Sequence, residues 1–216
     1  MRKLFILIAL LIFAFPAYST EVFRVSEYAS QDDILDPMNF NFSVADLAIH
    51  ITNHGIATVT FPDDSVKKFQ LFLDDEDYVE QVAYIKIEDN IVFVYGVTNY
   101  DSGAGKVSMV DLETLKPKWV AHIPGFNVGV AVAKDSSLYV TAISFVGKID
   151  LATGQYKWKH ENLYKKGPGV FNSFITPVIE GEVVRFIESQ TKFRKTDQPV
   201  AIVVRDATGE ILAPQF

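Results

Sequence analysis

Apolar and polar residues alternate, or form short apolar runs, in segments of strand length along most of the chain. Turn-forming residues separate these segments, as at 53–55, 88–90, 135–137 and 180–181. Beyond residue 19, only 63–72 and 74–82 approach the period of a helix. The pattern therefore predicts an all-β protein, with strands at 45–51, 56–61, 82–87, 91–97, 107–110, 128–133, 138–143, 174–179, 183–187 and 201–204.

The sequence contains an internal repeat. Residues 85–94 align with 131–140 at an offset of 46 residues, and 110–119 align with 149–158 at an offset of 39. The difference indicates a loop within 99–106 of the first copy. Repeats of roughly 40–50 residues made of strands are typical of propeller blades, which stack to cover their apolar faces.

A third copy places 207–210 over 152–155, and it lacks the tryptophan of the other two. We therefore predict a propeller-like stack of about three to four four-stranded blades in a single domain, 20–216, with a β-sandwich as the alternative. The predicted blades are 82–126, 127–166 and 167–212, with 40–80 as a further blade.

Two copies share a motif in which an Asp closes a strand, a Thr follows three residues later and a Trp follows eight residues later. The Asp can accept hydrogen bonds from the backbone of the next turn, and a Thr-Gly pair favours that turn. The Trp offers a large apolar surface for packing. We identify these structural residues as Asp111, Thr114 and Trp119 in one copy and Asp150, Thr153, Gly154 and Trp158 in the other.

The segment 146–159 resembles the blade signature of the pyrroloquinoline quinone (PQQ) propeller family. The resemblance extends over about residues 82–212, and it implies that each Trp packs between adjacent blades. Relatives with this repeat close rings of about seven or eight blades, more than this chain can form. The quinone enzymes of the family carry vicinal cysteines and a cation site, and neither can be placed here, so we expect no cofactor.

The first 19 residues are typical of an export signal. Arg2 and Lys3 precede an apolar run at 4–15, and small residues at 17 and 19 suit cleavage after Ser19. A retained anchor is the alternative, although a dozen apolar residues are few for a bilayer. We expect a periplasmic or extracellular protein with no transmembrane segment after cleavage.

Charge and cysteine content narrow the range of functions. Without residues 1–19 the chain has 18 Lys and Arg against 27 Asp and Glu, a net charge of −9, which argues against nucleic acid as a partner. The absence of cysteine excludes disulfides, thiolate metal sites, cysteine nucleophiles and a bacterial lipid anchor.

Three patterns suggest chemistry but fit a structural role better. His50 and His54 would lie roughly 13 Å apart on a strand, too far for one metal ion. The segment 103–106 faintly resembles a phosphate-binding loop, yet it lacks the leading Gly and the final hydroxyl, and we interpret it as a flexible insertion. The acidic runs 63–64 and 74–77 lack the alternating ligands of a calcium loop, so we interpret them as solvated charge.

The sequence shows no Gly-x-Ser-x-Gly or His-Glu-x-x-His motif. We therefore expect a non-catalytic exported protein that binds another protein through blade loops, such as 99–106 and 165–169, or through an exposed sheet edge. The alternatives are a quinone-dependent dehydrogenase-like or other propeller enzyme, and a truncated remnant of a longer propeller.

Overall fold

The protein is described from a computed structural model that covers residues 23–25, 39–44, 46–74, 77–98, 103–125, 128–129, 131–163, 174–188 and 201–214. The predicted signal peptide and the loop 165–169 lie outside these residues, as do residues 99–102 of the other predicted binding loop. Nothing helical in the described part of the chain has the length and apolar character needed to cross a membrane.

The described residues form four antiparallel sheets, each built around four strands that follow one another in sequence and are neighbours. Sheet 1 contains β2 (Asn39–Val44), β3 (Leu47–Thr52), β4 (Ile56–Thr60) and β5 (Val66–Gln70). Sheet 2 contains β6 (Tyr78–Ile87), β7 (Asn90–Thr98), β8 (Gly103–Asp111) and β9 (Pro117–Ile123), with β1 (Phe23–Val25) beside β6. Sheet 3 contains β10 (Val132–Lys134), β11 (Ser137–Ala142), β12 (Phe145–Asp150) and β13 (Tyr156–His160). Sheet 4 contains β14 (Phe174–Glu180), β15 (Val183–Glu188), β16 (Ala201–Arg205) and β17 (Ile211–Pro214).

This architecture confirms the predicted fold class, an all-β stack of blade-like sheets. A sandwich would have two sheets, whereas the described residues form four. Three apolar clusters hold the stack together, one between sheets 1 and 2, one between sheets 2 and 3, and one between sheets 3 and 4. Among the described residues, no such cluster joins sheet 4 to sheet 1. We call these contacts the first, second and third junctions.

The two segments with a near-helical period are not helices. Residues 66–70 form β5 and residues 78–82 begin β6. In β5, Val66, Lys67 and Lys68 are exposed because this strand is an edge of sheet 1, and its backbone pairs with β4. Pairing with β4 thus makes residues 66–70 a strand, although their apolar and polar residues show no clear period of two.

The prediction of a flexible insertion at 103–106 is also wrong, because these residues begin β8. A Cβ on Gly105 would lie 2.5 Å from Val128 Cγ2, so glycine allows β8 to lie close to the segment that precedes β10. Lys106 is 1% exposed, and its Nζ lies 2.7 Å from Asp74 Oδ2 and 3.5 Å from Asp77 Oδ2. Lys106 of sheet 2 therefore forms ion pairs with the segment that connects sheet 1 to sheet 2. Asp74 and Asp77 of the acidic run 74–77 have a structural role.

The last strand of each sheet carries residues that disfavour pairing with another strand. Lysines occupy β5, β9 and β13, and β17 ends at Pro214. Charged side chains and proline on an edge strand discourage addition of a further strand. These edges are therefore poor sites for strand addition by a partner.

Candidate functional site

The two tryptophans occupy equivalent places in the stack. Trp119 in β9 donates from Nε1 to the carbonyl of Leu151 at 2.9 Å, in the turn that follows β12. Trp158 in β13 donates from Nε1 to the carbonyl of Asp206 at 2.8 Å, in the turn that follows β16. Each indole thus contacts the sheet that follows its own sheet in the chain. The second and third junctions are therefore built in the same way.

A glycine lies beneath each indole. Gly154 has φ +72°, and an added Cβ would stand 2.5 Å from Trp119 Cδ2. Gly209 has φ +77°, and an added Cβ would stand 2.6 Å from Trp158 Cγ. Glycine is needed at both places because the left-handed backbone and the close indole each disfavour a side chain.

The aspartates of the motif accept hydrogen bonds within the turns that follow β8 and β12. Asp150 Oδ1 accepts from the backbone N–H of Thr153 at 3.0 Å and from its hydroxyl at 3.2 Å. Asp111 Oδ1 accepts from the N–H of Thr114 at 2.8 Å and from its hydroxyl at 3.0 Å. The bond from Thr114 N–H lowers the pKa of Asp111, and the bond from the Lys157 ammonium, with the Thr153 bonds, lowers the pKa of Asp150.

We predict a loss of stability in acid from these two turns. A carboxyl whose pKa is lowered by folding stabilises the protein above its unfolded pKa of about 3.9 and loses that contribution as the pH falls through the lower folded value. The free energy of unfolding, measured by urea titration between about pH 2 and 6, should therefore fall below about pH 4. The double variant Asp111→Asn, Asp150→Asn should show a smaller pH slope, and an unchanged slope would contradict this origin.

The first junction uses other residues at the corresponding positions. Lys67 in β5 donates from Nζ to the carbonyl of Glu113 at 3.0 Å, where the later junctions have a tryptophan. Leu115 stands where the later turns have glycine; it is 8% exposed and keeps φ +53°. The sequence alignment does not reveal this exchange, because both the tryptophan and the glycine are missing from the first junction.

The stack ends in two different faces. On sheet 1 the outward side chains of β3 and β4 are mostly small or polar, and they line a shallow cavity of about 290 Å³ that includes Asn41, His50, Thr58 and Thr60. Ile56 and Val66 are exposed at the starts of β4 and β5, and the rest of the face is small or polar, as is typical of a terminal repeat.

The outward face of sheet 4 is more apolar. Val178 is 40% exposed, and Arg185 and Val203, its neighbours across the strands, are half-buried. Val183 and Ile187 lie on the same side of β15 as Arg185. The alignment puts Ala213 at the tryptophan position of this sheet, so the series of indole contacts ends here.

The histidines lie apart from one another in separate local contacts. His50 Nδ1 donates to Asn41 Oδ1 at 2.7 Å, and the His54 ring lies 5.3 Å from the Tyr78 ring. His160 Nε2 donates to the carbonyl of Gly209 at 2.6 Å, and His122 meets Phe72 edge to face. No group of three or more potential metal ligands occurs among the residues that the structure describes.

Comparisons with known proteins do not assign a family. No family model matches the sequence, and no curated protein matches it. Among solved structures, a quinohemoprotein alcohol dehydrogenase from Pseudomonas putida HK5 is 16% identical, with a TM-score of 0.49, over 81% of this chain and 34% of that chain. This chain thus spans about a third of the length of that enzyme.

Two further structures are similar at lower identity. A protein of unknown function from Bacteroides caccae is 9% identical, with a TM-score of 0.43, over 78% of this chain and 56% of that chain. The computationally designed Ika8 protein is 8% identical, with a TM-score of 0.39, over 81% of this chain and 72% of that chain. Similarities of this size do not identify an activity, a cofactor or a partner.

Proposed function

We propose that this chain is an exported, non-catalytic protein-binding module with degenerate PQQ-type blades, and that it holds another protein against the outward face of sheet 4. The observation that supports this proposal is the contrast between the two ends of the stack. Repeat proteins cover the apolar face of each unit with the next unit and keep the outer face of a terminal unit polar. Sheet 1 departs from this rule at Ile56 and Val66, at the starts of β4 and β5, whereas on sheet 4 the apolar residues occupy the central strands β15 and β16.

The chemistry of sheet 4 suggests the kind of partner. Val178 and Val203 flank Arg185 on this face, and Arg185 Nη2 lies 3.3 Å from Glu180 Oε2. Exposed apolar patches mark protein interaction sites, and arginine is the charged residue enriched in them. A second copy joined end to end would present the polar face of sheet 1, which is a poor complement. The proposed partner is therefore a different protein with an apolar contact surface.

The test is cross-linking in the native envelope with matched surface variants. Tagged wild-type protein, Val178→Glu on sheet 4 and Ala48→Glu on the outward face of sheet 1 are expressed and cross-linked, and captured proteins are identified by mass spectrometry. We expect one protein to be captured by the wild type and Ala48→Glu and at least tenfold less by Val178→Glu, a loss on the order of 1.4 kcal/mol or more. Equal capture by all three would overturn the assignment of the face.

A second measurement separates binding from catalysis. Mature protein is titrated with PQQ and calcium and assayed for dye-linked dehydrogenase activity. The proposal predicts no saturable cofactor binding and no activity above buffer. Saturable binding would instead support the quinone-enzyme alternative.

A further inference from the structure

The third junction carries a buried polar cluster, which we call the Tyr–Lys–Asp cluster after its members Tyr139, Lys148 and Asp206. Lys148 Nζ lies 2.7 Å from Asp206 Oδ1 and 3.3 Å from its carbonyl oxygen. The Tyr139 hydroxyl donates to the same Oδ1 at 2.8 Å, and the ammonium lies 5.2 Å from the Tyr139 ring centroid. The carboxylate of sheet 4 therefore meets an ammonium and a hydroxyl of sheet 3.

The cluster is largely removed from water. Tyr139 is 2% exposed, and the side chains of Lys148 and Asp206 are 11% and 26% exposed. Burial raises the pKa of Tyr139, and the bond to the Asp206 carboxylate raises it further, so the hydroxyl stays a donor. An ammonium and a carboxylate in such a place need each other, because either one alone would lack a partner for its charge.

The equivalent positions of the second junction are apolar. Tyr139, Lys148 and Trp158 are successive partners across sheet 3, and Val92, Met109 and Trp119 are successive partners across sheet 2. Leu151 holds the place of Asp206, since each supplies the carbonyl that accepts from a tryptophan and each donates its own N–H to the preceding turn.

The first junction is apolar at these positions as well. Ile49 and Val59 are partners across sheet 1, and Leu112 packs against that cluster from sheet 2. The three junctions therefore share one geometry. In the third, the two side chains of sheet 3, Tyr139 and Lys148, and the facing side chain of sheet 4, Asp206, are all polar. In the first two junctions the equivalent side chains are apolar.

We propose that the Tyr–Lys–Asp cluster is a pairing-specificity device that makes sheet 4 dock on sheet 3 and on no other repeat. If sheet 4 docked on sheet 2, Asp206 would face Val92 and Met109 and lose its partners. If sheet 3 of another molecule presented Leu151 to Tyr139 and Lys148, the ammonium would be left without a carboxylate. Similar repeats are prone to such misassembly, and a buried polar contact that only the correct pair satisfies disfavours it. This inference goes beyond the proposed function and does not depend on it.

The test replaces the cluster by apolar residues of similar size, with Met and Leu taken from the second junction. The variants are Asp206→Leu, Lys148→Met, and the triple variant Tyr139→Phe, Lys148→Met, Asp206→Leu. The control removes an exposed ion pair of sheet 4, Arg205→Gln with Glu210→Gln, whose atoms lie 3.0 Å apart. Each full-length mature protein is melted, then unfolded in urea and refolded, and its monomer yield is measured by size-exclusion chromatography with light scattering.

We expect each single variant to lower Tm by roughly 4–8 °C, because it leaves a largely buried charge without its oppositely charged partner. The triple variant should melt within about 2 °C of the wild type or above it, because apolar residues replace the whole cluster. Its yield of refolded monomer should nevertheless fall roughly twofold, with exchanged or misdocked species in its place. The control should match the wild type in both measurements.

Two results would overturn the proposal. One is a triple variant that refolds to monomer with the wild-type yield, which would make the cluster dispensable for pairing. The other is additivity, in which the triple variant loses at least the sum of the two single Tm shifts, because Lys148 and Asp206 would then not act as a pair.

Discussion

Replacing Trp158 with alanine is expected to lower the free energy of unfolding by about 3–5 kcal/mol, the usual cost of deleting a large buried aromatic side chain. The indole is 8% exposed, lies edge to face against Phe186 with centroids 6.1 Å apart, and donates to the carbonyl of Asp206 at 2.8 Å. Alanine would leave a cavity between sheets 3 and 4 and remove the indole hydrogen bond to that carbonyl. Urea unfolding followed by circular dichroism measures the change.

Trp158→Phe is the matched control. It keeps most of the apolar area and removes the N–H donor, so we expect it to cost about 1–2 kcal/mol. A Trp158→Ala variant as stable as the wild type would show that the third junction does not depend on the indole.

Replacing Gly154 with alanine is expected to cost about 3 kcal/mol, from a left-handed backbone and from a Cβ forced against an indole. Gly154 has φ +72°, and the added atom would stand 2.5 Å from Trp119 Cδ2. Gly181→Ala separates the two causes, because Gly181 has φ +60° and nothing lies within 4 Å of an added Cβ.

The Gly181 variant should therefore cost only about 1–2 kcal/mol, the backbone contribution alone. The double variant Gly154→Ala, Trp119→Ala should lose less than the sum of its single changes, because the clash disappears with the indole. If Gly154→Ala and Gly181→Ala lose the same free energy of unfolding in the same urea titration, then contact with Trp119 contributes nothing to the cost of a side chain at residue 154.

Part of the fold could be predicted from sequence because its cause is local. Asp150, Thr153, Gly154 and Trp158 lie within nine residues, and the same spacing recurs around Asp111. A turn motif and a rare large side chain are readable in one line of sequence. The strands β12 and β13 were not predicted, because Gly147 and the lysines of both strands obscure the alternation that the sheet imposes.

The remaining features depend on partners far apart in sequence. Lys106 looks like part of a glycine-rich loop until β8 buries it beside Asp74 and Asp77. Asp206 looks like an ordinary turn residue until the third repeat is superimposed on the second and its place is seen to be that of Leu151. The contrast between the end faces of sheets 1 and 4 likewise follows from stacking order, which a single strand pattern does not contain.

The linear order of the junctions has a consequence for how the molecule opens. Where units touch only their neighbours, stability is a sum along the line and unravelling starts at the ends. A backbone amide in β7 is shielded by sheets on both sides, whereas one in β17 belongs to a sheet with a single neighbour among the described residues. Hydrogen–deuterium exchange should therefore be slowest in sheets 2 and 3 and fastest in sheets 1 and 4, so that sheet 4, the sheet proposed to hold a partner, is also one of the two that open most readily.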